Sequence, residues 1–508
     1  MKYIIGIDLG TSGTKTVLFD ERGVAVSSAT VEYPLHQPQN GWAEQDPADW
    51  WAAAVSTLKQ VLEQSGVAKA DVVSIGLSGQ MHGLVMLDGN GDVLRNSIIW
   101  CDGRTIAQCG EITRRVGEKR LIEITANPAL PGFTASKILW VRENEPELYD
   151  KCRHILLPKD YIRYKLTGAF ATEVSDASGM NLMDIPKRCW SDEVLAALEI
   201  DRSMLADLYE STEITGAITS EAAAKTGLAS GTPVVGGAGD NAAAAVGTGV
   251  VREGRAFTTI GTSGVIFAHS DKVTIDPNGR VHTFCAAVPG AWTVMSCTLA
   301  AGLSLQWLRN NLFAAEMEAA AGMGQDPYQL MNIQAERSPI GANRLIYLPY
   351  LMGERSPILD SNARGAFFGL SAMHTKYDML RAVMEGVAYS QLDCLEVLTG
   401  MGVVSSEMRM CGGGAKSPFW QQMFADVYGC KVTAPVSAEG PALGAAILAG
   451  VGAGMFSDVP AACDAVVAMK DEIKSPNEES GAKYRQFYEI YRSLYPVMRD
   501  QFHTLAAL

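Results

Sequence analysis

Short apolar runs open the chain. YIIGIDL at 3–9, TKTVLFD at 14–20 and a third run over 24–33 are separated by glycine-containing turns, and they predict three strands joined as an antiparallel meander. The period then changes. In PADWWAAAVSTLKQVLEQSG at 47–66, a leading proline and apolar residues at helical spacing predict a helix, after which VVSIGLSG at 72–79 returns as a buried strand. Strands alternate with helices, so the predicted fold class is α/β.

The second half repeats this order. REGRAFTTIGTSGVIFAHS at 252–270 reads as a hairpin, LAAGLSLQWLRNNL at 299–312 and 376–398 as helices, then SEMRMCGGG as a strand and SPFWQQMFADVYG as a helix. KVTAP and a glycine- and alanine-rich helix from 440 complete it. Two halves with similar opening hairpins predict a duplicated core, joined near 246–254, with domains at 1–246 and 247–508 and a polar, helical, peripheral segment beyond 457. The length of 508 residues suits two to four domains of about 100 to 200 residues each.

Each hairpin carries the same tip, Gly-Thr-Ser-Gly, at 10–13 and 261–264. Small residues, hydroxyl donors and free backbone N–H groups suit a turn that approaches phosphate. Neither tip is a P-loop, because each runs into another strand rather than into a helix ending GK[ST]. Asp8 lies in the otherwise apolar strand before the first tip, where an unpaired carboxylate costs several kcal/mol. It needs a cation or hydrogen-bond partner, and Mg²⁺ or a turn-capping role both satisfy that need. Asp240 follows a strand and a glycine turn and directly precedes an alanine-rich helix, so its local sequence fits a helix N-cap and an accessible base equally well.

Composition narrows the class. Apolar residues at 47% and charged residues at 19% describe a globular protein, and a net charge of −14 gives no footprint for nucleic acid or an anionic membrane. The apolar start is too short for a signal peptide, which predicts a cytoplasmic protein. The run at 440–456 is too short and too glycine-rich for a membrane span, and predicts a tightly packed buried helix. Ten scattered cysteines without a CxxC pair argue against structural zinc. No GxGxxG fingerprint supports a dinucleotide.

The ordered set GIDLGTSGTK, SGQMHG, WCDGR, PKDYIRYKLTG, GAGDNAAAAVG, TIGTSG, YLPYLMGERSP and GGGAKSPFWQQMFAD resembles the FGGY carbohydrate kinase family, and within it the members that phosphorylate D-xylulose. The resemblance spans residues 5 to about 455. It implies two ribonuclease-H-like lobes of the actin, hexokinase and Hsp70 ATPase type with a cleft between them, sugar and ATP as partners, and Mg²⁺ held by Asp8. It implies Asp240 as the general base, with Met81, His82, Asn241, Phe133, Asp102 and Arg104 on the sugar. Asp102 and Arg104 could equally pair structurally, and Phe133 and Trp42 could equally be packing residues. Thr11, Lys15, Thr262, Gly302, Gln306, Gly413 and Gly414 are the implied nucleotide contacts.

Glycerol kinases usually carry an Arg-Glu pair where Met81 and His82 stand, which counts against glycerol. Another ketose or a polyol such as ribulose or ribitol remains an alternative, and an actin- or chaperone-like ATP-driven binding protein a distant one. A homodimer is left open.

Overall fold

The computed structural model describes residues 1–508. Strands β1 (Tyr3–Leu9), β2 (Gly13–Asp20) and β3 (Ala25–Glu32) pair antiparallel, and β4 (Val72–Gly79) and β5 (Pro233–Val235) extend the sheet parallel to β1 in the order β3-β2-β1-β4-β5. Helix α1 (Pro47–Ser65) crosses from β3 toward β4. Its start is set by Asp46, whose carboxylate accepts the Ala48 N–H at 2.8 Å, and by Pro47; it ends at Gly66, in the left-handed region at φ 65°. Trp50, Ala54, Leu58 and Val61 recur at helical spacing and are buried with Ile5 and Ile7 of the sheet. A short strand, Ala238–Gly239, continues beside the end of β4 and runs straight into helix α2 (Asp240–Gly247).

The second half is built the same way. Strands β6 (Gly254–Ile260), β7 (Gly264–Ser270) and β8 (Trp292–Thr298) pair antiparallel, and β9 (Ser405–Cys411) and β10 (Lys431–Thr433) add parallel to β6 in the order β8-β7-β6-β9-β10. Helices α3 (Gly302–Leu312) and α4 (Lys376–Gly400) follow β8, and α5 (Gly440–Gly452) follows β10. The duplication predicted from the hairpins is present in the five central strands of each sheet, which match in order and direction, while the edge strands differ: Ile214–Ala217 flanks β5 in the first, and His282–Cys285 flanks β8 in the second. The tips share GTSG but differ around it: the residue two before the first glycine is Asp8 in one and Thr259 in the other, and Lys15 corresponds to Ile266.

The halves interlock through close backbone contacts as well as through side chains. A Cβ on Gly444 of α5 would lie 1.8 Å from the Ala243 carbonyl oxygen of α2, and one on Gly247 1.9 Å from that of Gly440. On its other side α5 presses on the first sheet, where a Cβ on Gly6 or Gly76 would meet the Ala442 or Ala445 carbonyl at 2.0 and 1.9 Å. A helix from the second half therefore covers the sheet of the first. One apolar cluster accordingly contains Ile4, Val17 and Phe19 together with Phe257, Phe267 and Leu443. The expected join at 246–254 is a join in sequence, and the core runs across it. The 440–456 run is the packed helix expected, and no helix is long and apolar enough to cross a membrane.

The segment beyond 457 departs from expectation. Helix α6 (Glu478–Ala506) buries Tyr484, Tyr488, Tyr491, Leu494 and Phe502 in the second core, with the Tyr491 hydroxyl 3.0 Å from that of Tyr350. Its polar positions made it look peripheral, but its tyrosines, spaced at three and four residues, form one buried stripe.

Substituting Gly444 with valine should lower the unfolding temperature markedly, by the 1–3 kcal/mol or more that overpacking costs. Gly400→Ala, where a Cβ would meet nothing within 4 Å, should leave it nearly unchanged. Thermal unfolding of the two variants measures both.

Candidate active site

Asp8 and Asp240 reach the cleft from different elements of the first lobe. Antiparallel register sets Asp8 opposite Lys15, and parallel register sets it opposite Ser78, whose hydroxyl donates to Asp8 Oδ1 at 2.9 Å. Burial raises the Asp8 carboxyl above its usual range and Glu439 adds to this, while the Ser78 hydrogen bond and the Lys15 charge oppose it. Lys15 Nζ lies 2.5 Å from Glu439 Oε2, on the residue just before α5. Asp240 Oδ1 accepts both the Asn241 backbone N–H, at 2.7 Å, and its side-chain amide, at 3.0 Å. The protein gives Oδ2 no partner, so one oxygen remains for a ligand. Burial first, and the Asp8 charge second, push Asp240 up to about 7.

The Met81–His82 loop lies against the residue just before Asp240. Met81 touches Gly239, where an added Cβ would come within 2.9 Å of its Cγ. His82 has φ 70°, a costly angle for a side chain of this size, and several contacts hold it there. Its carbonyl accepts from Thr134 Oγ1 at 3.1 Å and from Lys137 Nζ at 2.8 Å, and its Nδ1 lies 2.9 Å from the Gly179 carbonyl. A carbonyl cannot donate, so Nδ1 carries the proton and Nε2 keeps a lone pair. Burial and the Lys137 charge hold His82 well below its usual pKa, so the ring is neutral and can accept from a hydroxyl. Phe133 lies tilted against it at a centroid distance of 4.6 Å and is buried in an apolar cluster beside Phe284 and His282.

On the second lobe, Thr262, Gly302, Gln306, Gly413 and Gly414 line one cavity of about 400 Å³, with Tyr328, Asn332 and Trp420. The tip is tied to α3, because Gly302 N–H donates to Gly261 O at 2.8 Å and Leu303 N–H to Thr262 O at 3.1 Å. Gly302 must be glycine for this contact, since a Cβ there would lie 2.3 Å from the Gly261 oxygen. An adjoining cavity of about 490 Å³ has Asp240, Asn241 and Gly412 in its wall, and Lys416 lines both. Through Lys416 the lining runs from the glycine turn after β9 to Asp240. A larger hollow of about 590 Å³ lies elsewhere, between the 274–280 loop and α4, and contains none of the predicted residues.

Two family models match in sequence order, the N-terminal domain of the FGGY family of carbohydrate kinases over residues 3–247 and the C-terminal domain over 256–453. The chain belongs to the FGGY family of carbohydrate kinases. A xylulose kinase of Lactococcus lactis is 40% identical over 506 residues, 99% of each chain. The solved structure of a xylulose kinase from Rhodospirillum rubrum superposes with a TM-score of 0.91 at 30% identity, covering 99% of this chain and 100% of that one. A gluconokinase of Bacillus licheniformis is 32% identical over 99% of this chain and 98% of its own. The two-lobed fold of the actin and hexokinase type follows from these neighbours, and FGGY kinases take their phosphate from ATP.

Two site expectations, Asp102 and Arg104, need revision. Asp102 and Arg104 face each other, with Arg104 Nη2 2.7 Å from Asp102 Oδ2, and their side chains are 0% and 1% exposed. Asp102 also caps the Ala43 N–H, and Arg104 pairs with Glu44 at 2.8 Å and stacks 3.7 Å over Trp42. All of these groups are spent on one another, so they brace the lobe rather than contact a sugar. Thr11 takes the Trp100 indole N–H on its hydroxyl at 2.9 Å and does not line the second-lobe cavity. Lys15 is engaged by Glu439. Sequence reading missed Ser78, Lys137 and Glu439. Ser78 was discoverable from the parallel pairing of two apolar strands, whereas no local pattern marks Lys137 or Glu439.

Asp240 must be deprotonated to accept a proton. With its carboxyl near 7, kcat/KM should fall about tenfold for each pH unit below that value. A flat acid limb down to pH 5 would remove Asp240 from the base role. Asp102→Ala should instead cost several kcal/mol of stability, read by denaturant unfolding, because it strands a buried guanidinium.

Proposed function

We propose that this FGGY kinase transfers the γ-phosphoryl group of ATP to the terminal hydroxyl of D-xylulose, giving D-xylulose 5-phosphate and ADP. One observation carries the reading: Asp240, with a single unpartnered oxygen and a near-neutral pKa, stands between the Met81–His82 loop and the cavity that leads to the glycine turn of the second lobe. The xylulose kinase relatives support the substrate.

Neutral His82 accepts from one sugar hydroxyl through Nε2, and Phe133 closes the pocket over the carbon chain. Asp240 Oδ2 takes the proton of the attacking hydroxyl as its oxygen bonds to phosphorus and the bond to the ADP oxygen breaks. Thr262, Gly302, Gln306, Gly413 and Gly414 hold the nucleotide. Thr11 and Lys15 approach its phosphates from the first lobe, and Lys15 exchanges Glu439 for phosphate oxygen.

Asp8 would hold Mg²⁺. The fit is good: a buried carboxylate with a second carboxylate near it calls for a cation, and no group of three ligating side chains surrounds it. That suits an ion bound mainly by phosphate and water. When bound, Mg²⁺ neutralises charge on the β- and γ-phosphates. Closure of the lobes excludes water from the transferring group.

ADP release measured with D-xylulose, D-ribulose, ribitol, glycerol and D-gluconate tests the assignment. D-Xylulose should give the highest kcat/KM, and a higher value for another acceptor would overturn it. D-Gluconate is in the panel because the gluconokinase likeness favours it as a second reading. Asp240→Asn should lower kcat by about 10²–10⁴ and leave sugar affinity within a few fold.

A further inference from the structure

Beneath the turn that carries Asp240 lie five charged side chains with no solvent exposure. Lys159, Asp160 and Arg163 belong to the helix Pro158–Thr167, and Glu173 and Asp176 lie at the start of the short helix Val174–Ala177. Lys159 Nζ is 2.8 Å from Asp160, 2.9 Å from Asp176 and 3.3 Å from Glu173, and Arg163 is 2.9 Å from Asp160. Burying such a group costs several kcal/mol per ion, and apolar residues of similar volume would pack as well or better. Stability alone does not account for it.

Its contacts point to the base. Arg163 donates to the Gly236 carbonyl and, at 2.6 Å, to that of Ala171. Ser175 Oγ donates to Glu173 Oε1 at 3.0 Å and accepts the Gly239 N–H at 3.2 Å. Glu173 also accepts the Ser211 hydroxyl at 3.1 Å, and the Ser211 carbonyl accepts the Gly237 N–H at 2.9 Å. Gly237 sits at φ 70°, pressed against β4 so closely that a Cβ would meet the Leu77 oxygen at 2.0 Å. Three of the four residues before Asp240 are thus tied to the cluster or to Ser211. Burial raises the Asp176 carboxyl above its usual range, and the Lys159 charge opposes it.

We propose that this buried cluster is a positioning device for the catalytic base: through Arg163, Glu173 and Ser175 it fixes the Gly236–Gly239 turn and with it the direction in which Asp240 presents its free oxygen. The proposal rests on the reading of Asp240 as the base. Glu173 and Ser175 are positioning residues, and neither touches substrate. A displacement of about 1 Å at a reacting group costs on the order of 10²-fold in rate, so loss of one tether should appear in kcat rather than in binding.

The test compares Ser175→Ala, Ser175→Thr and Glu173→Gln with the parent enzyme by steady-state kinetics, with thermal unfolding measured alongside. Ser175→Ala should lower kcat by about 10- to 100-fold with both KM values within about twofold, and Ser175→Thr, which restores the hydroxyl, should recover most of the loss. Glu173→Gln should move kcat in the same direction, and it carries the test if Ser175→Ala does not fold. In an Asp240→Asn background, Ser175→Ala should cause no further loss. A kcat within twofold of the parent for Ser175→Ala, or a loss that tracks lowered stability and is not rescued by threonine, would overturn the positioning role and leave the base assignment intact. An Asp240→Asn enzyme that keeps near-normal turnover would overturn the base assignment, and the positioning role with it.

Discussion

Helices α2 and α5 cross with backbone against backbone, Gly444 on Ala243 and Gly247 on Gly440, and α5 meets the first sheet at Gly6 and Gly76 in the same way. Contacts this close exist only where no Cβ intervenes. Because α5 is wedged between α2 and the first sheet, the starts of both helices are brought to the floor of the cleft. Asp240 is the first residue of α2, and Glu439 immediately precedes α5. Their partial positive helix ends favour carboxylates at these positions. A side chain at Gly6, Gly76, Gly247 or Gly444 would push α5 off its partners and shift Asp240 relative to the second-lobe cavity.

The electrostatics of the site follow from that convergence. Lys15 pairs with Glu439 and its charge also acts on Asp8, while Asp8 in turn acts on buried Asp240. Burial, with the Asp8 charge second, raises Asp240 to about 7, which suits the base role proposed for it, and the second carboxylate gives Asp8 a reason to take a divalent cation. On the sugar side the opposite device operates. His82 is kept neutral by burial and by the Lys137 charge, and its proton is held on Nδ1 by the Gly179 carbonyl.

Much of the fold was readable from residue order. Hairpins, crossover helices and the duplicated strand order follow from apolar period and glycine turns, and these signals are local. The tyrosine stripe of α6 was missed because polar residues between the tyrosines mask it unless the helix is known to lie on a core. Of the candidate site residues, the five expected on the second lobe line a common cavity. Asp102 and Arg104 do not reach a ligand surface, since the distant partners Ala43, Glu44 and Trp42 consume their hydrogen-bonding and stacking capacity.

By itself the sequence determined the secondary structure, the duplication, the family and the motifs that bear chemistry, because each depends on neighbours within a few residues or on an ordered set of short patterns. Tertiary structure alone decided which charges meet. Ser78 reaches Asp8 across 70 residues, Lys15 finds Glu439 from the opposite end of the chain, and Ser175 tethers Gly239 across 64 residues. Hydrogen bonds and ion pairs act over about 3 to 4 Å in space and carry no periodicity along the chain. Only the folded sheets and the crossed glycine helices bring those groups within that range.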